Sequence, residues 1–368
     1  MSNYYNPVKI IKTENWLHEL NRSIEDLKFS APIIVTSPGN RKRLSLDSKF
    51  DPESIFSDVG NNPNFEDCIN AVEFCQKNVF DGVVALGGGS AMDLAKVIIA
   101  HLSLEKTDIN ELIEYKGKFP HTIQSIFLPT THGTASEVTM WGTLWNMEEE
   151  KKYSISHPSL YPSVAILDGN LTLSLPLDIS ISTVMDALSH SFESIWNKKA
   201  NHTSTDFAIS AICSILENGP ALKENLDDLD TRNNLLKAAT VAGLAFSNTT
   251  TAAAHSMSYP LTIHYGMPHG VASSISLIPL LEINGKLIKE PLDRICNNNE
   301  LTYDELKETI KAIPQGVIPY TLDEWGIPEN QLTKLAGESF TKGRMDNNVV
   351  DLTTDDVLGI LKELYSEQ

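Results

Sequence analysis

Residues 81–102 read DGVVALGGGSAMDLAKVIIAHL, and this stretch decides the fold. Asp81–Leu86 is a short apolar run rich in branched side chains, the pattern of a strand buried on both faces. It runs straight into Gly87, Gly88, Gly89 and Ser90. The AMDLAKVIIAHL that follows is a strong helix former. Strand, glycine run and helix together form an anion site. Glycine lets the backbone approach closely, and the free amides and dipole of the helix start point at a phosphate. The run is neither G-x-G-x-x-G nor a Walker loop, because the GK[ST] ending is missing.

Working outward, residues 13–27 read as an amphipathic helix, Pro32–Thr36 as a buried strand, and Ser37-Pro38-Gly39-Asn40 as a tight turn. Residues 66–79 read as a helix and 123–128 as a third strand ending in PTTHGTASE. YSIS (153–156) reads as a short ribbon strand and VAILD (164–168) as a further strand. Alternation of this kind predicts a parallel α/β sheet. The turn after the first strand offers Ser37, Gly39, Asn40, Arg41 and Arg43 and no carboxylate. NAD enzymes often hold the ribose 2′-hydroxyl with a carboxylate here, so small and basic groups favour NADP, with NAD as the alternative.

From about residue 179 the strand signals stop. Helical periodicity covers 182–198, 203–218, 231–246 and 270–288, and 299–332 reads as a pair of surface helices. The expected domains are 1–178, an α/β dinucleotide-binding domain, and 179–368, an all-helical domain. Asp186 and His190 stand one turn apart on one helix face. His255 and His269 bracket a segment containing Pro260, Gly266 and Pro268, which can fold back on itself. One carboxylate and three imidazoles suit a divalent transition metal: iron, zinc, manganese or cobalt.

The chain has 29 Lys+Arg against 48 Asp+Glu, a net charge of -19. That argues against nucleic acid or an anionic membrane as partner. No apolar run nears the ~18 residues needed to cross a bilayer. The start has no apolar leader, and the four cysteines form no CxxC pair. A cytoplasmic protein, with a homodimer as its assembly, is the expectation.

With these pieces placed, GGGSAMDLAK (87–96), PTTHGTASEVT (129–139), DALSH (186–190) and the pair His255 and His269 resemble, in order and spacing, the iron-containing (group III) alcohol dehydrogenase family. The likeness covers essentially the whole chain. It implies a metal-dependent, NAD(P)-linked alcohol dehydrogenase or aldehyde reductase. The family fold pairs a dinucleotide domain with a helical domain, as in dehydroquinate synthase, and sets the site in the cleft between them. It implies Gly87, Gly88, Gly89, Ser90 and Asp93 at the pyrophosphate and nicotinamide ribose, and Thr130, Thr131, Ser136 and Lys152 around the rest of the cofactor. Asp186, His190, His255 and His269 would be the metal ligands, with Fe2+ expected and Zn2+ or Mn2+ as alternatives.

Three positions depart from the family. His132 stands where alanine is common. Tyr259 replaces a second histidine, which puts a proton relay there in question. The 37–43 turn lacks the acidic discriminator. VTSPG, MWGTLWN, KKYSIS and HSMSYPLTIHYGMPHG are similar to the phosphonoacetaldehyde reductase branch. An anionic substrate would need cationic or hydrogen-bonding groups, for which His132, His264, Lys151 and Tyr153 are the candidates. The alternatives are a glycerol-dehydrogenase-like or other short-chain alcohol dehydrogenase, and a lyase of the dehydroquinate synthase type. The lyase needs basic runs in the helical half, and none is present.

Overall fold

The computed structural model describes residues 4–146, 148–149 and 151–365, so the outer ends of both expected domains lie beyond it. The chain forms two compact units. One spans Asn6–Thr131 and Ala135–Thr172. The other is built from Leu173 onward, with His132–Thr134 joined to it. The sequence pattern puts the change at 178/179, near the start of the first long helix; the contacts divide the chain at Thr172.

The α/β unit runs β1 (Lys9–Lys12), α1 (Trp16–Asp26), β2 (Pro32–Thr36), α2 (Pro38–Arg43), β3 (Ile55–Phe56), α3 (Phe65–Gln76), β4 (Gly82–Gly87), α4 (Gly89–Leu104), α5 (Ile109–Glu114), β5 (Gln124–Pro129), β6 (Trp141–Asn146), β7 (Lys151–Ser156) and β8 (Val164–Leu167). Six strands form a parallel sheet in the order β1-β8-β5-β4-β2-β3, and β6 and β7 form a separate antiparallel ribbon. The register sets Thr36 beside Leu86 and Gly87 beside Pro129. Three loops, after β2, β4 and β5, therefore emerge side by side at the carboxyl edge, where open α/β sheets bind ligands. Apolar clusters cover both faces of the sheet, one including Val83, Ala85 and Phe127 and the other Val84, Leu86 and Ile126.

Two readings change here. Ser37–Asn40 is not a free turn but opens α2: the Ser37 hydroxyl accepts from the Asn40 amide (3.2 Å) and Pro38 takes the first helical position, where its missing N–H costs nothing. The edge strand β1 carries no period-2 signal, because three of its four side chains are exposed and neither face of KIIK is fully buried.

The helical unit continues with α6 (Leu177–Ile195), α7 (His202–Glu224), α8 (Leu229–Thr249), α9 (Ala253–Tyr265), α10 (His269–Ser274), α11 (Leu277–Asn284), α12 (Lys289–Asn298), α13 (Tyr303–Ala312), α14 (Leu332–Glu338) and α15 (Thr354–Glu363). Helix α6 is buried along nearly its whole length. Its start is fixed by Arg232, a fully buried guanidinium donating to Ser180 Oγ (2.8 Å) and the Leu175 carbonyl (3.2 Å). The expected helix over 270–288 is two helices, and 299–332 holds one regular helix, α13, followed by short turns. Among the described residues no single helix is long and apolar enough to cross a membrane.

Helices α9 and α10 bring the two distant histidines together. Helix α9 ends at Gly266, whose φ of +65° is easy only for glycine, and Pro268 caps α10. Gly270 then packs directly on α6: a Cβ there would stand 2.1 Å from the Ser182 carbonyl oxygen. Gly270→Ala must push α10 off α6 and carry His269 with it. We expect a loss of about 3 kcal/mol in denaturant unfolding, the upper range for overpacking, with lower bound-metal content. An unchanged midpoint and unchanged metal would refute this packing.

Candidate metal centre and nucleotide-binding loops

Asp186, His190 and Glu193 fall at i, i+4 and i+7 of α6 and so share one face. His255 comes from the first turn of α9 and His269 from the first residue of α10. The chain reaches α9 through Thr250, held at φ +63°. Its carbonyl accepts from the Asn197 amide (3.2 Å) and its hydroxyl from the Asn347 amide (3.0 Å).

Three imidazole Nε2 atoms surround one carboxylate oxygen, Asp186 Oδ1: His255 at 3.5 Å, His190 at 3.9 Å and His269 at 3.9 Å. These separations are too long for hydrogen bonds. They approach the spacing of two ligands on a shared ion, about 3.4 Å for tetrahedral bonds of about 2.1 Å. Among the described residues, Asp186, His255 and His269 offer ligand atoms all within 4.8 Å of one another. His190 is set by stacking between Phe246 (4.1 Å) and His255 (4.5 Å).

The donor chemistry fits a cation. Nδ1 of His255 lies 2.6 Å from Glu193 Oε2, and the His255 amide donates to Oε1 (3.0 Å). That contact holds a proton on Nδ1 and turns Nε2, the atom a metal would take, toward Asp186, where it is buried with no hydrogen-bond partner. Asp186 Oδ1 also accepts from Ser273 (2.9 Å), whose carbonyl takes the Ser189 hydroxyl (2.6 Å). Asp186, His190 and His255 are buried, whereas the His269 side chain is 25% exposed and marks the accessible side.

The electrostatics agree. Burial pushes the Asp186 carboxyl up, but the three imidazoles outweigh it and hold it far below the usual carboxylate range. Burial likewise works against ionised Glu193, and His255 with two backbone amides keeps it below its ordinary value. Burial lowers His255, but Glu193 and Asp186 push it up to about 9.

Every nucleotide-site residue expected from the sequence lies in the α/β unit. Gly87 ends β4, Gly88 caps α4, and Gly89 and Ser90 form its first turn without any side-chain cap. Amides at that helix start are thus available to an anion. Thr130 links the three loops: its N–H donates to the Gly87 carbonyl (3.0 Å) and its hydroxyl accepts from Asn40 (3.4 Å). Thr131 lies against Gly88. Asp93 accepts from the Ser136 hydroxyl (2.8 Å) and the Thr143 amide (2.9 Å), tying the ribbon to α4. Lys152 lies over the Trp145 ring at 5.5 Å. Arg41 is engaged by Asp47 (2.6 Å), while Arg43 donates to Asn40 (2.7 Å) and the Leu171 carbonyl (3.1 Å).

Sequence reasoning missed three residues. Glu193 could have been found from its i+7 spacing to Asp186. Lys96, fully buried, donates to Ser136, Thr139 and the Trp141 carbonyl and so shapes the loop bearing Ser136; burial lowers its amine to about 8. Arg344 donates to the Tyr259 hydroxyl (3.3 Å), and no local signal announces it. Of the expected anion-binding groups, three are committed to acids: His264 to Glu338 (2.8 Å), Lys151 to Glu149 (3.2 Å) and the Tyr153 hydroxyl to Glu149 (2.7 Å). His132 belongs to the helical unit, and burial lowers it to about 3, so it is neutral; neither ring nitrogen has a hydrogen-bond partner.

Residues 7–169 match the family described as iron-containing alcohol dehydrogenase, and residues 180–365 match its C-terminal counterpart. Long-chain-alcohol dehydrogenase 1 of Geobacillus thermodenitrificans is 30% identical over 327 residues, 84% of this chain and 80% of that protein. NADPH-dependent butanol dehydrogenase of Clostridium saccharobutylicum is 28% identical, covering 93% of each chain. Sulfoacetaldehyde reductase of Bifidobacterium kashiwanohense, solved with NAD+, is 28% identical over 100% of both chains with a TM-score of 0.87. A parallel α/β unit, a helical unit with a carboxylate–imidazole cluster, and these relatives together mark an NAD(P)-linked oxidoreductase of the alcohol dehydrogenase class. The chain belongs to the iron-containing alcohol dehydrogenase family.

Two predictions follow from the His255 environment. Glu193→Gln should weaken metal affinity by roughly 10–100-fold, the usual effect of losing a carboxylate behind a ligand histidine. Competition with a chelator measures it, and unaltered affinity would contradict the assignment. Raised His255 stabilises the metal-free fold fully below pH ~6.5 and loses that contribution as pH rises through about 9. The metal-free melting temperature should therefore fall across that window. Metal binding should release a proton and tighten over the same range, as calorimetry in buffers of differing ionisation enthalpy would show.

Proposed function

We propose that this chain is an Fe2+-dependent, NADPH-linked aldehyde reductase whose substrate carries an oxyanion, reducing phosphonoacetaldehyde to 2-hydroxyethylphosphonate. One hydride and one proton add across the carbonyl. The observation that carries the reading is the set of three imidazole nitrogens within 3.9 Å of one buried carboxylate oxygen. The substrate choice is supported by the likeness of VTSPG, MWGTLWN, KKYSIS and the 255–270 segment to the phosphonoacetaldehyde reductase branch. The 28% identity to a sulfoacetaldehyde reductase also supports it, since a sulfonate is the near relative of a phosphonate.

Asp186, His190, His255 and His269 would hold a divalent ion, which would supply Lewis acidity toward an aldehyde oxygen, and a nicotinamide would supply the hydride. The chain's own part is placement. The Asp186 carboxylate would offset part of a divalent ion's charge, leaving a net positive site. Glu193 and Phe246 fix the planes of His255 and His190. The amides of Gly89 and Ser90 would receive a pyrophosphate, and Asn40 and Thr130 line the adjoining loops. Tyr259, one turn beyond His255, offers a hydroxyl as proton donor, with water or a ribose hydroxyl as the other routes.

NADPH is preferred over NADH on this reading because Arg43 has no carboxylate partner among the described residues and none stands in the 37–43 turn. A kinetic panel tests the whole proposal: phosphonoacetaldehyde, sulfoacetaldehyde, propanal and dihydroxyacetone, each with NADPH and NADH. Phosphonoacetaldehyde with NADPH should give the highest kcat/KM. Arg43→Ala should cut the NADPH preference by about tenfold, the worth of one such contact. Highest activity on dihydroxyacetone would point to a glycerol-dehydrogenase-like enzyme. Product formation without net NADPH consumption would mark a lyase.

A further inference from the structure

The turn around Arg344 is built onto the helix that carries His255. The Ser256 hydroxyl, next to His255 in sequence, donates to the Ser339 carbonyl (2.5 Å) and accepts from the Thr341 amide (3.0 Å). The Asn347 amide donates to the Thr251 carbonyl (2.9 Å) and to the Gly343 carbonyl (2.7 Å). Residues 339–347 are thereby clamped along the first turns of α9. Arg344 uses Nη1 on the Gly343 carbonyl (2.9 Å) and Nε on the Tyr259 hydroxyl (3.3 Å).

Acids outnumber bases 48 to 29 in this chain; Arg22, Arg41 and Arg294 each pair with a carboxylate, whereas Arg43 and Arg232 donate to neutral oxygens of the fold. Among the described residues Arg344 has no carboxylate in ion-pair range, and its Nη2 carries no protein hydrogen bond. A partly buried guanidinium with unused donors, in an acidic protein, is a site for an anion from outside. Arg344 stands near the cluster along the chain of contacts: it meets the Tyr259 hydroxyl at 3.3 Å, and Tyr259 follows His255 by one helical turn of α9. In phosphonoacetaldehyde and sulfoacetaldehyde the oxyanion group and the aldehyde oxygen are three bonds apart, so one small molecule presents both.

We propose that Arg344 is the specificity-determining cation that binds the substrate's tetrahedral oxyanion, phosphonate or sulfonate, while the aldehyde oxygen faces the Asp186 cluster. This rests on the aldehyde reductase reading above and names the residue that selects the anion. His264 and Lys151 already face Glu338 and Glu149, so an anion there would meet a carboxylate beside the cation.

The test uses the metal-loaded full chain and three aldehydes: phosphonoacetaldehyde, sulfoacetaldehyde and the uncharged propanal. In Arg344→Gln the ratio of kcat/KM for the anionic aldehyde over propanal should drop about 100-fold, within the range for truncating one partner of a buried charge pair. Most of the drop should appear in KM. Arg344→Lys should recover part of it. Binding of 2-hydroxyethylphosphonate, followed by calorimetry, should weaken in parallel, which separates recognition from chemistry. The phosphonate arm should lose more than the sulfonate arm if a dianion is the natural ligand; the reverse order would assign the sulfonate. An Arg344→Gln ratio within twofold of the wild type would overturn this inference, because Arg344 would then only hold Tyr259. If the wild type itself prefers propanal, the substrate reading in the preceding subsection fails instead.

Discussion

The contact between the Glu193 carboxylate and His255 Nδ1 organises the candidate centre. A buried imidazole left to itself would be neutral and indifferent to its tautomer. Here a fully buried acid takes one ring nitrogen and the backbone amide of the same residue. The other nitrogen must then look toward Asp186. Two buried carboxylates in one apolar helical core are costly without cations. The core carries them because imidazoles surround them, and a divalent ion would compensate them further.

That requirement explains much of the helical unit. Helix α6 must present Asp186, His190 and Glu193 inward, so it is buried nearly throughout and anchored by Arg232. Helix α10 must come close enough for His269, so its second residue is glycine, set against the α6 backbone. The link from α8 to α9 adopts a conformation unusual for threonine, held by two asparagine amides. Each of these local costs serves the same end, the convergence of the four side chains on one point. In the α/β unit, the uncapped start of α4 is the counterpart: orphan amides are left where an anion can meet them.

The sequence was most legible where chemistry and periodicity coincide. Gly87–Ser90 between a strand and a helix predicted the α4 start, and the Asp186–His190 spacing predicted a shared face. His255 and His269 were readable because Gly266 and Pro268 signal a reversal between them. The misses have physical causes. Glu193 looks like any helical acid until its burial is known. Lys96 reads as a surface residue, though its amine is enclosed by the 136–141 segment. Arg344 reaches Tyr259 only through the tertiary clamp of residues 339–347. Strand β1 is an edge strand with mostly exposed side chains, so alternation cannot reveal it. Of the anion-binding candidates, His264, Lys151 and Tyr153 lie against nearby acids and His132 is buried and neutral, neither of which charge in the sequence reveals.

The most direct test of the centre is anomalous X-ray scattering at the iron edge from crystals of the chain loaded with Fe2+. The account predicts one strong peak per chain, within bonding distance of Asp186 Oδ1 and of Nε2 of His190, His255 and His269, with Glu193 still on His255 Nδ1. A peak elsewhere, or one that His255 does not touch, would contradict it.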